Sequence, residues 1–334
     1  MSKGSTNDKL VFLKTLELLQ KESDESNPIP STRLLKRLKE EGYPCDRRTL
    51  VSNIALLGNY GIEAETTLNE SDRRENCYFI ASRTFSTTEL RVIVDSLWAA
   101  GFIPDDQTEE LAERVSALAG NPKVPITKMA VRNLRAKKPY KYTLSYIEEL
   151  GTILQGNKGE YHKVSFKYFD PDLRGKKIFR NNGAYFTVSP QGLVINDGKY
   201  YLIAYPEGSG TLRAYRADRM EGVLESSETL PDYLCRQRRA RVADYMKKAF
   251  GAWTGVEETV YFRCEAEDLG DIFDKFGSSL NIWKNADDTL NFKAAVLISP
   301  KFYSWVTQFE GRLKITGPDN VKDDFKEFLK KAAG

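Results

Sequence analysis

The first 60 residues alternate between apolar and polar positions at helical spacing. An apolar stripe in residues 9–21 predicts an amphipathic helix, and its members are Leu10, Leu13, Leu16 and Leu19. Two shorter helices are predicted at 32–41 and 46–59, with Ser31 and Asp46 as their N-caps. The inward positions of these two helices are Leu34, Leu35, Leu38, Leu50, Ile54 and Leu57.

The pattern changes twice over the next 80 residues. Residues 62–81 alternate loosely around Asn69-Glu70-Ser71-Asp72, which is typical of a two-stranded hairpin. Helical spacing returns in three segments, which are 88–100, 108–119 and 126–136. These segments are broken at Pro104 and at Asn121-Pro122, and they predict a helical connector.

Short strands with tight turns dominate the middle of the chain. The strands are predicted at 160–169, 185–194, 200–205 and 212–217. Asp170-Pro171-Asp172 and Asn196-Asp197-Gly198 are strong turn signals between them. Several short strands joined by such turns predict a small barrel.

From Gly255 onward the predicted order is strand, helix, strand, strand, helix, strand, followed by a helix at 321–331. This order matches the ferredoxin-like βαββαβ plan. The segment carries 11 Lys and Arg against 14 Asp and Glu. A mildly acidic unit is a poor direct reader of DNA.

These patterns predict a multidomain α+β protein. The predicted divisions are 1–83 for a helix-turn-helix with a hairpin, 84–139 for the connector, 140–228 for the barrel, 229–254 for a basic linker and 255–334 for the ferredoxin-like unit. A length of 334 residues agrees with more than one domain.

Composition narrows the class of protein. The net charge of +3 arises from 50 basic and 47 acidic residues, so nucleic-acid contacts must come from local clusters. The sequence shows no signal segment and no apolar run that would span a bilayer, so we expect a cytoplasmic protein. The four cysteines form no CxxC pair, which fits a reducing compartment and argues against a zinc ribbon.

The inventory of reactive residues argues against an enzyme. His162 is the only histidine, and its position at a strand end favours a structural role. No phosphate-binding GxxxxGK[ST] loop and no GxGxxG fingerprint occurs in the sequence. We therefore expect no catalytic residues, no cofactor and no metal.

The two short helices have the spacing of a DNA-binding helix-turn-helix. The start of the second helix would face base edges in the major groove, and its candidate contacts are Arg47, Arg48, Thr49, Ser52 and Asn53. Candidate phosphate contacts are Arg33, Lys36, Arg37 and Lys39 on the preceding helix, with Arg73 and Arg74 near the hairpin tip. The alternative is a three-helix core with a solvated basic face.

The hairpin at 198–220 combines tyrosines with Arg213, Arg216 and Arg219. Strand alternation places Arg216 among apolar neighbours, which is unfavourable unless an anion or an acidic residue meets it. Asp218 and Asp197 are candidate internal partners. The pattern alone leaves open whether the arginines form ion pairs on a barrel rim or bind an anion.

Residues 187–205 (TVSPQGLVINDGKYYLIAY) and 212–223 (LRAYRADRMEGV) resemble the WYL domain of bacterial transcription regulators. The name-giving Trp-Tyr-Leu tripeptide is replaced here by Tyr200-Tyr201-Leu202. CDRRTLVSNIALLGNYGI also resembles the winged helix-turn-helix of that family, with Ser52-Asn53 replacing its usual arginine-aspartate pair. The last unit resembles the family's C-terminal extension.

The resemblance implies an SH3- or Sm-like barrel that binds an anionic ligand, a single-stranded nucleic acid or a nucleotide. The ligand-binding residues that it implies are Ser189, Gln191, Tyr200, Tyr201, Arg213, Arg216 and Arg219. The expected function is a homodimeric transcription regulator that binds an operator in double-stranded DNA. The alternatives are a nucleic-acid-binding accessory protein, for example in phage defence, and an enzyme that acts on nucleotides.

Two basic runs stay open to interpretation. Residues 121–138 contain six basic residues and no acidic residue, and residues 236–241 read RQRRAR. Such runs are typical of solvated linkers or helix faces, and they would also suit the path of a nucleic-acid ligand.

Overall fold

The computed structural model describes residues 3–25, 27–69, 74–81, 84–119 and 142–334. The chain divides into two compact units, Met1–Lys138 and Pro139–Gly334. The described residues form helices and antiparallel sheets. None of the described helices is both long enough and apolar enough to cross a membrane.

The first unit contains five helices and three strands among its described residues. The elements are α1 (Lys3–Glu22), β1 (Ile29–Pro30), α2 (Ser31–Glu40), α3 (Arg47–Asn59), β2 (Ala64–Leu68), β3 (Asn76–Ile80), α4 (Thr87–Ala99) and α5 (Asp105–Ser116). The strands form a sheet in the order β1-β3-β2. Leu50, Ile54 and Leu57 are buried against α1, α2 and the sheet, as the apolar spacing predicts. The predicted helix at 126–136 lies outside the described residues.

The predicted apolar face of α1 is wrong in part. Val11, Leu18 and Leu19 are buried, whereas Leu10 and Leu13 are 43% and 57% exposed. Each three-residue step falls about 60° short of a full helical turn, so four such positions spread over half the helix surface. Only part of that stripe can face the core.

The predicted cap of α2 is also wrong. Pro30 occupies the N-cap position and no side chain of the helix caps it. The carboxylate of Glu75, just before β3, instead accepts hydrogen bonds from Thr32 N at 2.9 Å and from Ser31 Oγ at 3.3 Å. The Thr32 hydroxyl also donates to Glu75, at 2.5 Å. These hydrogen bonds, of which that of the Thr32 hydroxyl has the largest effect, lower the pKa of Glu75 to about 2. Asp46 does cap α3, because it accepts a bond from Thr49 N at 2.7 Å.

The second unit begins with one helix and a curled six-stranded sheet. The elements are α6 (Thr143–Gln155), β4 (His162–Pro171), β5 (Lys177–Phe179), β6 (Phe186–Asn196), β7 (Lys199–Pro206), β8 (Arg213–Arg216) and β9 (Met220–Thr229). The strand order is β5-β4-β6-β7-β8, and β9 returns to pair with β4. Val164, Phe166, Val188, Leu202 and Tyr215 fill the inner side.

Two helices follow the sheet and lead into the rest of the unit. The remaining elements are α7 (Asp232–Cys235), α8 (Arg238–Lys248), β10 (Val256–Cys264), α9 (Leu269–Phe276), β11 (Ile282–Lys284), β12 (Leu290–Ile298), α10 (Pro300–Thr307), β13 (Lys314–Gly317) and α11 (Asp319–Ala333). The last four strands form a sheet in the order β11-β12-β10-β13. Helix α8 packs on the outer side of the six-stranded sheet. There, Tyr245 and Ala249 contact Ile203 of β7 and Leu297 of β12.

Candidate functional site

Strand pairing divides the predicted ligand residues into two groups. Tyr201 lies opposite Arg216, whereas Ala204 lies opposite Arg213. The three-residue separation along β7 corresponds to roughly 10 Å. Ser189 lies one residue further on, opposite Tyr205. Tyr200, Tyr201, Arg216 and Arg219 therefore lie towards one end of the strands, and Ser189, Gln191 and Arg213 towards the other.

Arg216 is held by the acidic residue two positions after it. Its Nε donates to Asp218 Oδ1 at 2.9 Å and its Nη2 to Asp218 Oδ2 at 2.6 Å. Its backbone N–H donates to the Tyr168 hydroxyl at 3.1 Å. Asp218, rather than Asp197, is thus the partner among the two that the sequence suggested. The ion pair explains how a half-buried guanidinium is tolerated beside Tyr201.

Asp170 joins two further arginines to the same region. Arg219 Nη1 donates to Asp170 Oδ1 at 2.7 Å, and Arg180 Nε donates to Asp170 Oδ2 at 2.6 Å. The Arg180 guanidinium lies 5.3 Å from the centre of the Tyr168 ring. These charges, led by the hydrogen bond from Arg180, lower the pKa of Asp170.

We call Arg180, Arg216 and Arg219 the arginine cluster. The three guanidinium groups and the two carboxylates that they contact sum to a formal charge of +1. Each guanidinium presents five donors, and the two carboxylates accept only some of them. The cluster can therefore donate hydrogen bonds to a further anion. Sequence reasoning missed Arg180, which no motif distinguished.

Arg241 of α8 lies at the second group. Its Nη1 donates to Gln191 Oε1 and its Nη2 donates to Tyr233 O at 3.1 Å. Arg241 and Tyr205 line two cavities. The first, of about 560 Å³, is also lined by Ser189, and the second, of about 510 Å³, is also lined by Arg213. Because Gln191 is buried and its oxygen is bound by Arg241, Gln191 acts here as a link to α8.

The basic run at 236–241 is only partly solvated. Arg238 lies over the Tyr161 ring at 4.6 Å and donates to Leu154 O at 3.0 Å. Burial lowers the pKa of Arg238. Together, Arg238 and Arg241 hold the first turn of α8 against α6 and the six-stranded sheet. The other basic run, 121–138, lies outside the described residues.

The start of α3 carries the candidate DNA contacts. Arg47, Arg48 and Ser52 are exposed, and neither arginine forms an ion pair with another described residue. Thr49 is half-buried beside them. Asn53 is 7% exposed, so the expectation that it faces outward is wrong. Its position three residues after Leu50 turns it towards the core.

The candidate phosphate contacts differ in their availability. Arg33 is exposed and lies 3.7 Å from Glu22, and Lys36 lies 3.9 Å from Glu40. Arg37 is bound by several carboxylates of α1 and α2, which makes it a structural residue. Arg74 is exposed next to β3, and Arg73 lies outside the described residues.

The single histidine has a structural contact. His162 begins β4, and its Nδ1 lies 3.0 Å from Ser226 O on the paired strand β9. This bond joins the His162 side chain to the backbone of the neighbouring strand.

Comparison with known proteins identifies one domain. The family model of the WYL domain matches residues 159–224. No curated protein matches the chain. Among solved structures, proteasome accessory factor B/C (PafBC) of Arthrobacter aurescens is 14% identical, with a TM-score of 0.30, over 97% of this chain and 48% of that chain. A CRISPR Cas-related protein is 11% identical, with a TM-score of 0.36, over 100% of this chain and 86% of that chain. The chain thus spans about half the length of PafBC.

Proposed function

From the WYL domain that residues 159–224 form, we propose that the protein is a ligand-responsive transcription regulator. In this proposal residues 3–81 are a winged helix-turn-helix that binds an operator. The curled sheet is an SH3- or Sm-like sensor barrel, and residues 256–333 are a ferredoxin-like extension. The protein acts in the cytoplasm as a homodimer, because two recognition helices suit two half-sites of an operator.

The surface of α3 supports the DNA-binding part of this proposal. Arg47 and Arg48 are exposed at the end of the helix that enters the major groove in helix-turn-helix proteins. An arginine there can donate two hydrogen bonds to one guanine. Glu75 accepts hydrogen bonds from Thr32 at the start of α2, and these bonds orient the proposed wing relative to the helix pair.

The arginine cluster carries the proposal for the ligand. Its excess positive charge and its unused donors suit a phosphate, which accepts paired hydrogen bonds from guanidinium groups. Tyr201 is half-buried opposite Arg216 and offers a ring edge or face to a base. The ligand is therefore an anion that carries phosphate, a nucleotide or a short single strand of nucleic acid.

The proposed mechanism is a competition for guanidinium groups. A phosphate that binds Arg216 and Arg219 weakens their bonds to Asp218 and Asp170, which lie in the turn after β8 and at the end of β4. The ligand changes operator affinity only if it binds one arrangement of the dimer more tightly than the other.

The test is mass spectrometry of nucleic acid and small molecules that co-purify with the full chain. We expect a phosphate-bearing ligand with the wild type, less of it with Arg216→Ala, and as much or more with Asp218→Asn, which removes the competing carboxylate. Arg114→Ala is the matched control, because Arg114 is an exposed arginine of α5, outside the cluster and outside both basic runs. Equal ligand content in Arg216→Ala and the wild type would contradict the ligand site.

Duplex binding tests the regulator itself. A regulator binds one promoter-derived duplex more tightly than random duplex, and the ligand changes that difference. Equal affinity for all duplexes would instead favour a nucleic-acid-binding accessory protein.

A further inference from the structure

The last sheet of the chain has one covered face and one open face. Phe262, Phe292 and Ile315 point to the covered side, where they pack with α9, α10 and α11. Because side chains alternate along a strand, Tyr261 and Arg263 point to the opposite side. The Leu297 end of that side meets α8. Further along it, Tyr261 and Lys293 are exposed, whereas Arg263 and Asn291 are half-buried.

Strand register assembles a row of side chains across the open face. Trp283 pairs with Asn291, Asn291 pairs with Arg263, and Arg263 pairs with Lys314, so one residue from each strand lies in a single line. Tyr261 pairs with Lys293 in the neighbouring row. We call this set of six residues the sheet platform.

The two rings of the platform are exposed, whereas every other aromatic side chain after Gly255 is buried or half-buried. Trp283 is 45% exposed and Tyr261 is 44% exposed. Tyr261 lies against Gly317, where a Cβ atom would approach its ring to 3.5 Å. Two strand spacings and two residue rises separate the rings by roughly 12 Å. Two unpaired bases of one strand can therefore contact different rings.

The charges of the platform are positive. Lys293 and Lys314 form no ion pair with any residue that the structure describes. Arg263 donates to Thr289 Oγ1 at 2.9 Å and also contacts Asp287, which orients its guanidinium. The platform thus combines rings on which bases can stack with cations that can contact phosphates, and a single-stranded nucleic acid presents both groups.

From this juxtaposition we propose that the sheet platform binds single-stranded nucleic acid. Bases stack on Trp283 and Tyr261, while Lys293, Lys314 and Arg263 contact the backbone. Four-stranded sheets with exposed rings recognise unpaired bases in this way. A duplex hides its base faces, so it does not fit a flat platform. The acidic residues elsewhere in residues 255–334 repel any nucleic acid, so binding must come from the local cations and rings of the platform. The inference is independent of the arginine cluster and of the proposed function.

The test uses the full chain and short fluorescent oligo(dT) and oligo(U), with fluorescence anisotropy as the readout. Trp283→Ala and Tyr261→Ala should each weaken binding by roughly 5- to 150-fold, the range of one base-aromatic stack. Trp283→Phe keeps a ring and should retain most of the affinity. Tyr142→Ala is the control for loss of an exposed ring outside the platform.

Salt dependence tests the cations. Lys293→Ala should lower the slope of log affinity against log salt by about 0.7, the value of one phosphate contact on a single strand. Lys330→Ala, an exposed lysine of α11, should leave the slope unchanged. The ring variants are repeated in an Arg216→Ala background. If Arg216→Ala alone, with every platform residue unchanged, no longer binds the oligonucleotide, then the binding belongs to the barrel and the proposal is overturned.

Three further results would overturn the proposal. One is unchanged oligonucleotide affinity in the ring variants, provided that their thermal unfolding matches the wild type. The second is equal affinity for single strands and duplex. The third is a change of oligomeric state without a change of oligonucleotide affinity, which would make this face an interface between copies of the chain.

Discussion

Lys275 of α9 offers a direct test of the electrostatics of the second unit. Its Nζ donates to Ala249 O at 2.5 Å and lies 4.1 Å from the centre of the Phe250 ring. Burial lowers the pKa of Lys275 from 10.5 to about 8. We expect Lys275→Met to stabilise the protein at neutral pH, because methionine keeps the apolar stem and removes a poorly hydrated charge.

The sign of the pH dependence follows from proton binding. Between pH 8 and pH 10.5 the unfolded chain binds the Lys275 proton and the folded chain releases it, so this group makes stability rise with pH. Below pH 8 both states are protonated and the full cost of burying the charge remains. At 1.36 kcal/mol per pH unit that cost is at most about 3 kcal/mol. The hydrogen bond and the ring contact favour the charged form, so about 1–2 kcal/mol is expected.

Urea unfolding at pH 7 and pH 10 measures the effect. Lys275→Met should be more stable than the wild type at pH 7 by about 1–2 kcal/mol, and the advantage should shrink at pH 10 as the wild-type amine becomes neutral. Lys330→Met on the exposed side of α11 is the control for loss of a surface charge. The reasoning would be refuted if Lys275→Met were less stable than the wild type at pH 7. It would also be refuted if the difference in unfolding free energy between the two proteins were the same at pH 7 and pH 10.

Two further predictions concern the first unit. Glu75→Ala should destabilise it by about 1 kcal/mol in urea unfolding, the value of a helix N-cap, and Glu75→Gln by less. Since the folded pKa of Glu75 is lowered from 4.5 to about 2, its charge stabilises above pH 4.5 and that contribution is lost as pH falls towards 2; equal unfolding of the wild type and Glu75→Ala at pH 7 would exclude the cap. Arg47→Ala should cost about 1–3 kcal/mol of operator affinity while affinity for random duplex changes less, as titration of both duplexes would show; an unchanged preference would remove Arg47 from base recognition.

The elements of the fold could be predicted where the signal is local. The Asp46 cap and the buried face of α3 follow from residues within one or two helical turns. The hairpin at β2 and β3 and the succession of helices and strands after Gly255 follow in the same way from turn signals and alternation. A local signal suffices for these features because the residues that form them are close together in the sequence.

Contacts between distant segments escaped prediction. The cap of α2 comes from Glu75, which only the pairing of β1 with β3 brings to the helix. Ser31 satisfies the sequence rule for a cap but lies inside the helix. Asn53 is a different case, because the spacing of Leu50, Asn53 and Leu57 places it on the buried face of its own helix, and the prediction of an outward Asn53 overlooked that local signal.

The candidate site mixes both kinds of signal. The bond between Arg216 and Asp218 spans two residues, so the sequence suggested it. Arg180 reaches the same place because β5 pairs with β4, and its backbone N–H donates to Tyr168 O at 2.8 Å. A hairpin that appeared to hold three arginines thus contributes two to the cluster, while Arg213 lies about three residues of strand away. An anion that binds Arg180 together with Arg216 contacts two hairpins, β4-β5 and β7-β8, and its binding therefore depends on their relative position.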